Sequence, residues 1–139
     1  MAKKIILTAG KRRTAIARAR LMKTKTKEEA IIRINGVPID QVEPIFARNI
    51  MQEPVLLASK LYKNDLAVKI RVSGGGIISQ AQAVRMALAR GLYQYLGTQE
   101  IRDIYNAYDK TMISGDVRRT EPKKYGGKGA RARFQKSYR

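Results

Sequence analysis

The chain has 139 residues, which suits one domain, and its 29 Lys and Arg against 11 Asp and Glu give a formal charge of +18 at pH 7. It contains no Cys, His or Trp, which excludes thiol nucleophiles, disulfides, zinc sites built on thiolate or imidazole, and His-based acid–base chemistry. A hydrophobic fraction of 44% supports one modest core, so the composition favours a small binder of polyanions over an enzyme.

In chain order, residues 1–27 hold ten basic residues and no acid. Ile5 to Leu7 is a short apolar run, and after the Gly10–Arg13 segment an alternation begins. Ala15, Ala17, Ala19 and Leu21 share one face; Thr14, Ile16, Arg18 and Arg20 share the other. That period of two predicts a strand whose small face packs on a core and whose Arg face does not. Lys23 to Glu29 reads as a charged turn. Ile31 to Ile34 is a further strand, ending at Asn35-Gly36, where positive φ is accessible and a hairpin is expected.

Pro44 can open a helix carrying Ile45, Phe46, Ile50 and Met51, and Pro54 is expected to restart or kink it before Leu56, Leu57 and Leu61. Leu66, Val68, Ile70 and Val72 then alternate with Ala67, Lys69 and Arg71, the clearest strand in the chain. Next comes a glycine run, Gly74 to Gly76, and a predicted helix from Ile78 to Leu96. Ser79 with Gln82 fits a capping box, Ala81, Val84, Leu88, Leu92 and Tyr95 share one face, and Gly97 is a stop. Arg85 and Arg90 lie off that stripe, as a solvated face or as RNA contacts. Thr98 can cap a last helix with Ile101, Ile104, Tyr105 and Tyr108 at helical spacing. The order β, β, α, β, α, α predicts an α+β class with a sheet covered on one face.

The glycine-rich strand-to-helix junction admits a phosphate at the helix start. Gly-Lys-Ser/Thr is absent after it, however, and no Asp or Glu lies between Asp65 and Glu100 to hold magnesium. A tight turn, with an RNA phosphate at the helix start, is the plainer reading. A small-molecule kinase loop is the enzymatic alternative.

Residues 118–139 hold nine basic residues and only Glu121, whereas residues 28–117 hold ten of each sign. Charge concentrated at both ends reads as a footprint for a phosphate backbone. The chain therefore divides into a globular domain, 1–117, and an extended basic tail, 118–139. The tail has too few apolar groups to offset its ordering entropy and is expected to be disordered in isolation. Its Tyr125, Phe134 and Tyr138, interleaved with cations, suit folded RNA with unpaired bases better than plain duplex. No apolar run is long enough for a signal peptide core or a spanning helix, so an intracellular protein is expected, with no membrane partner.

Four segments carry a resemblance: GKRRTAIARARL (10–21), INGVPI (34–39), SGGGIISQAQAVR (73–85) and GARARFQKSYR (129–139). In this order, across essentially the whole chain, they resemble the small-subunit ribosomal protein nine family. The tail is like that of the archaeal and eukaryotic branch, and the short N-terminus is most like archaeal members. The resemblance implies a single domain like the second domain of small-subunit ribosomal protein five, with a left-handed βαβ crossover that the usual right-handed rule would argue against. It further implies a cytoplasmic, non-enzymatic ribosomal protein with no cofactor, metal or small-molecule substrate. Such a protein binds small-subunit ribosomal RNA in the subunit head, beside neighbouring head proteins, and sends its tail to the anticodon stem-loop of the peptidyl-site transfer RNA.

On this reading Lys11, Arg12, Arg13, Arg18 and Arg20 contact ribosomal RNA phosphates, as do Arg118, Arg119, Lys123, Lys124, Lys128, Arg131 and Arg133 along the tail. Lys136, Ser137, Tyr138 and Arg139 approach the transfer RNA. A free-standing RNA or DNA chaperone is the second functional class that this composition allows, and an enzyme the third.

Overall fold

The computed structural model describes residues 5–24, 30–63 and 65–139. The predicted Lys23–Glu29 turn lies mostly outside them. The first two strands, β1 (Ile5–Arg12) and β2 (Ala15–Lys23), form an antiparallel hairpin about Arg13-Thr14, with Arg13 at φ 53°. The sequence suggested only a short run ending at Leu7. The strand continues because Gly10, Lys11 and Arg12 pair with Ala17, Ile16 and Ala15.

A second hairpin, β3 (Ile32–Ile34) and β4 (Val37–Pro38), turns at Asn35-Gly36 as expected, with φ of 50° and 91°. After a 3-10 turn at Ile39–Gln41 come α1 (Ile45–Leu57) and β5 (Leu66–Ser73), then α2 (Ile77–Leu96), α3 (Gln99–Tyr108) and the short α4 (Thr111–Ser114).

The sheet order is β1-β2-β5-β3-β4. All neighbours are antiparallel except β3 and β5, which run parallel and are joined through β4 and α1 in a βαβ unit. Asn35 pins that pairing, donating from Nδ2 to the Val72 carbonyl at 3.1 Å and accepting from the Val72 N–H at 2.9 Å.

The core lies between one face of this sheet and α2, with α1 and α3 beside it. Small residues on both sides let the layers approach: Ala15, Ala17 and Ala19 on β2 and Ala83 and Ala87 on α2 are all buried, and Gly91 of α2 lies against Leu21. Gly10 is required there, because a Cβ would stand 2.7 Å from the Ala87 nitrogen. Leu66, Val68, Ile70 and Val72 supply the β5 part of the core, as their alternation predicts.

Three local expectations are corrected. Pro54 does not restart the helix, since α1 runs unbroken from Ile45 to Leu57; in the last turn a proline removes only one late intrahelical bond, and its ring is buried. The capping box at Ser79 does not form, because Gly76 occupies the cap and Ser79 falls within the first helical turn. Tyr108 is exposed, while Ile101 and Tyr105 carry the buried stripe of α3. Gly97 does close α2, in the left-handed conformation at φ 64°.

Candidate nucleic-acid interface

The pleat that buries one face of the sheet leaves the other uncovered. On β2, Arg18 and Arg20 are exposed among buried Ala17, Ala19 and Leu21, and on β1 Lys11 is exposed beside buried Gly10. The register adds cations from distant parts of the chain: Arg18 is opposite Arg71, and Arg20 is opposite Lys69, which is in turn opposite Arg33. All are exposed, and among the described residues none of Arg18, Arg20, Arg33, Lys69 and Arg71 forms an ion pair. The sequence reading missed Arg33, Lys69 and Arg71 as site residues, because they lie in the segment with no net charge. A signal was present, since Lys69 and Arg71 occupy the polar positions of the clearest alternation.

Arg12, grouped from sequence with its basic neighbours, lies on the opposite side of the pleat and is buried. Its Nε donates to Gln82 Oε1 at 2.8 Å, its Nη1 to the Arg118 carbonyl at 3.1 Å, and its Nη2 stands 3.1 Å from Asp116 Oδ2. Hydrogen bonds from Arg118, with the nearby Arg12 charge, hold the Asp116 carboxyl well below the usual carboxylate range.

Arg85 and Arg90 are half-buried and use their guanidinium groups within the fold. Arg85 bridges Glu53 at 2.7 Å and Asp109 at 2.6 Å. Arg90 donates to the Ile113 carbonyl at 2.9 Å and the Ala9 carbonyl at 2.8 Å. Arg12, Arg85 and Arg90 thus strap the segment from Asp109 to Arg118 against α2 and β1, which fixes where the basic tail begins. Sequence could not show this, because the partners are remote along the chain.

The glycine junction is a tight turn against the first hairpin. Gly74 and Gly75 have φ of 76° and 67°, and a Cβ on Gly75 would sit 3.1 Å from Ala15 Cβ. Gln80 Nε2 donates to the Gly74 carbonyl at 3.1 Å, a further internal use of the turn.

Residues 115–139 form no helix or strand. Arg118, Arg119, Lys123, Lys124, Lys128, Arg131, Arg133, Lys136, Ser137, Tyr138 and Arg139 are all exposed. A local loop organises the middle of the tail. Arg131 donates to both Glu121 oxygens at 2.9 and 2.8 Å, Arg133 donates to the Tyr125 carbonyl, and the Phe134 N–H reaches the Gly126 carbonyl at 3.2 Å. Tyr125 is 99% exposed and Tyr138 87%, so neither ring is used in packing.

An α+β body with one uncovered cationic sheet face and a basic tail strapped on at its root presents charge that is complementary to a polyanion. Comparison with known proteins makes the assignment particular. The family model for ribosomal protein S9/S16 matches residues 10–139. A small ribosomal subunit protein uS9 from Halobacterium salinarum is 46% identical over 132 residues, covering 95% of this chain and 97% of that protein. The protein of the same name from Methanothrix thermoacetophila is 44% identical over 136 residues, covering 98% and 99%, and that of Caenorhabditis elegans is 43% identical over 141 residues, covering 96% and 95%. The chain belongs to the ribosomal protein S9/S16 family, whose role is structural and not enzymatic. Among the described residues no helix is long and apolar enough to cross a membrane.

Proposed function

We propose that this chain is a structural component of the small ribosomal subunit in the cytoplasm, bound to ribosomal RNA of the subunit head beside neighbouring head proteins. Its C-terminal tail reaches the peptidyl-site transfer RNA. The observation that supports this most is the state of the basic ends: Lys11, Arg13, Arg18 and Arg20 are exposed and form no ion pair among the described residues, and in the tail Arg119, Lys123, Lys124, Lys128, Lys136 and Arg139 are likewise exposed and without one, whereas Arg118 and Arg131 pair with Asp116 and Glu121. Phosphate contacts of this kind position a protein on folded RNA and displace counterions without reading sequence. Arg12 is left out of the set because its donors are used internally.

The family resemblance adds finer points to the proposal. The βαβ unit from β3 to β5 is left-handed, as in the second domain of small-subunit ribosomal protein five. Residues 118–139 act as a unit separate from the body, 1–117, with Arg119, Lys123, Lys124, Lys128, Arg131 and Arg133 along the RNA. Lys136, Ser137, Tyr138 and Arg139 then approach the anticodon stem-loop.

Removing Arg139 alone tests the tail's role. One cation among 29 is a small part of the electrostatics, so assembly into subunits should be nearly intact. Peptidyl-site transfer RNA should bind reconstituted subunits less tightly, by about 1–3 kcal/mol for one charged hydrogen-bonding group. Equal transfer RNA affinity with and without Arg139 would reduce the tail to an assembly clamp.

A further inference from the structure

The open face of the sheet has a pattern beyond net charge. Arg20, Lys69 and Arg33 stand opposite one another on the three adjacent strands β2, β5 and β3, and the pair Arg18 and Arg71 lies two residues along. Neighbouring strands are about 4.8 Å apart and two residues span about 6.6 Å, so the five cations rise from a patch of backbone about 10 Å by 7 Å. Among the described residues this face carries no acid and no aromatic ring; Ile5, Leu7, Ala9, Ile16, Met22 and Ala67 surround the cations.

Like charges directly opposite one another on adjacent strands oppose folding. The chain nevertheless places three in one row and two in the next. A bound polyanion reverses the sign of that cost, because each cation then faces a phosphate.

We infer that this face, through Arg33, Lys69 and Arg71 with Arg18 and Arg20, is a docking surface for the phosphate backbone of paired RNA. The inference rests on the RNA-binding reading above and extends it to residues outside the basic ends. Paired RNA is the occupant that fits for two reasons. The face has no ring on which an unpaired base can stack, whereas Tyr125, Phe134 and Tyr138 give the tail that capacity. The platform is also stiff: β2 and β5 pair along their length, the Asn35 side chain ties β3 to β5, and a closely packed core backs all three. A stiff array of point charges suits phosphates held at fixed spacing by a helix. Division of labour follows, with the sheet on helical RNA and the tail on irregular RNA.

The test uses the full chain and a triple variant, Arg33→Gln, Lys69→Gln and Arg71→Gln, titrated against a blunt RNA duplex of mixed sequence and a single-stranded oligouridine with the same number of phosphates. Duplex binding by the variant should weaken at least about tenfold at 0.1 M salt, with a log–log salt slope shallower by about 2 to 3 units. Oligouridine binding should change much less. The free variant should melt at the same temperature as the wild type or higher at low salt, since repulsion has been removed. Unchanged duplex affinity and slope in the variant, while the wild type binds, would overturn the docking face and leave the RNA-binding reading standing. Equal losses on duplex and oligouridine would overturn the assignment to paired RNA, and weaker binding with a lower melting temperature would assign the residues to the fold. If the wild type itself binds neither RNA at low salt, the underlying RNA-binding reading fails first.

Discussion

Two adjacent residues, Lys11 and Arg12, have the same charge in the sequence and opposite roles in the structure. The pleat sends Lys11 to the open face and Arg12 into the helix side, where Gln82, Asp116 and the Arg118 carbonyl occupy its donors. Their chemistry toward RNA should differ accordingly. In the full chain, Arg18→Met should lower the salt slope for ribosomal RNA binding by about 0.9, as expected for one lost phosphate contact, whereas Arg12→Met should change it by less than about 0.5. Equal effects in a salt titration would return Arg12 to the contact surface.

Tyr105 offers a residue-scale test of the core. Its hydroxyl donates to the Pro54 carbonyl at 2.8 Å, and burial pushes its pKa up from the ordinary value of 10.0. The folded chain therefore keeps the proton at a pH where the unfolded chain loses it. Stability from this group is complete below pH 10 and falls as pH rises above it, with a slope of up to about 1.4 kcal/mol per pH unit. Tyr105→Phe should remove that part of the alkaline slope and cost about 1–2 kcal/mol at neutral pH, because the carbonyl is left buried without its donor. Urea denaturation at neutral pH and above pH 10 measures both.

At the scale of elements, β2, β5 and α2 were legible because each carries a strict period, whereas β1 was seen only as the run to Leu7 and the two-residue β4 is too short to show one. The alternation Leu66, Val68, Ile70, Val72 defines β5, and the stripe Ala81, Val84, Leu88, Leu92 defines the buried face of α2. Sheet order was not legible. Period two says which residues share a face but not which strand lies beside which, so the placement of β5 between β2 and β3 was invisible. The same blindness hid Arg33, Lys69 and Arg71 as a group: the alternation marks Lys69 and Arg71 as outward, but the register is what gathers all three beside Arg18 and Arg20. Arg85 and Arg90 were ambiguous because Glu53, Asp109 and the Ile113 carbonyl reach them from other elements. The tail was legible as a charge block, while the loop joining Glu121 to Arg131 was not. A chain ending at Val117 lacks nine of the 29 cations; if about half of them touch phosphate, its salt slope on ribosomal RNA should be shallower by about 3 to 5 units. An unchanged slope would show that the tail does not engage this RNA.

At the scale of the whole molecule, the charge is divided three ways. Arg12, Arg85 and Arg90 are used inside, holding the segment from Asp109 to Arg118 to the body. Lys11, Arg18, Arg20, Arg33, Lys69 and Arg71 form one outward surface, and the tail forms another. A neutral middle of the sequence thus contributes both the internal braces and part of the outward face, which is why a segment count alone understates the surface. In the proposed function, the body and tail together grip RNA through its phosphates. Its most direct test is the salt dependence of binding between the full chain and small-subunit ribosomal RNA. With at least seven phosphates neutralised, the log–log slope should be about −6 or steeper. A slope shallower than about −2 would mean that the exposed cations do not meet the backbone, and would contradict the account.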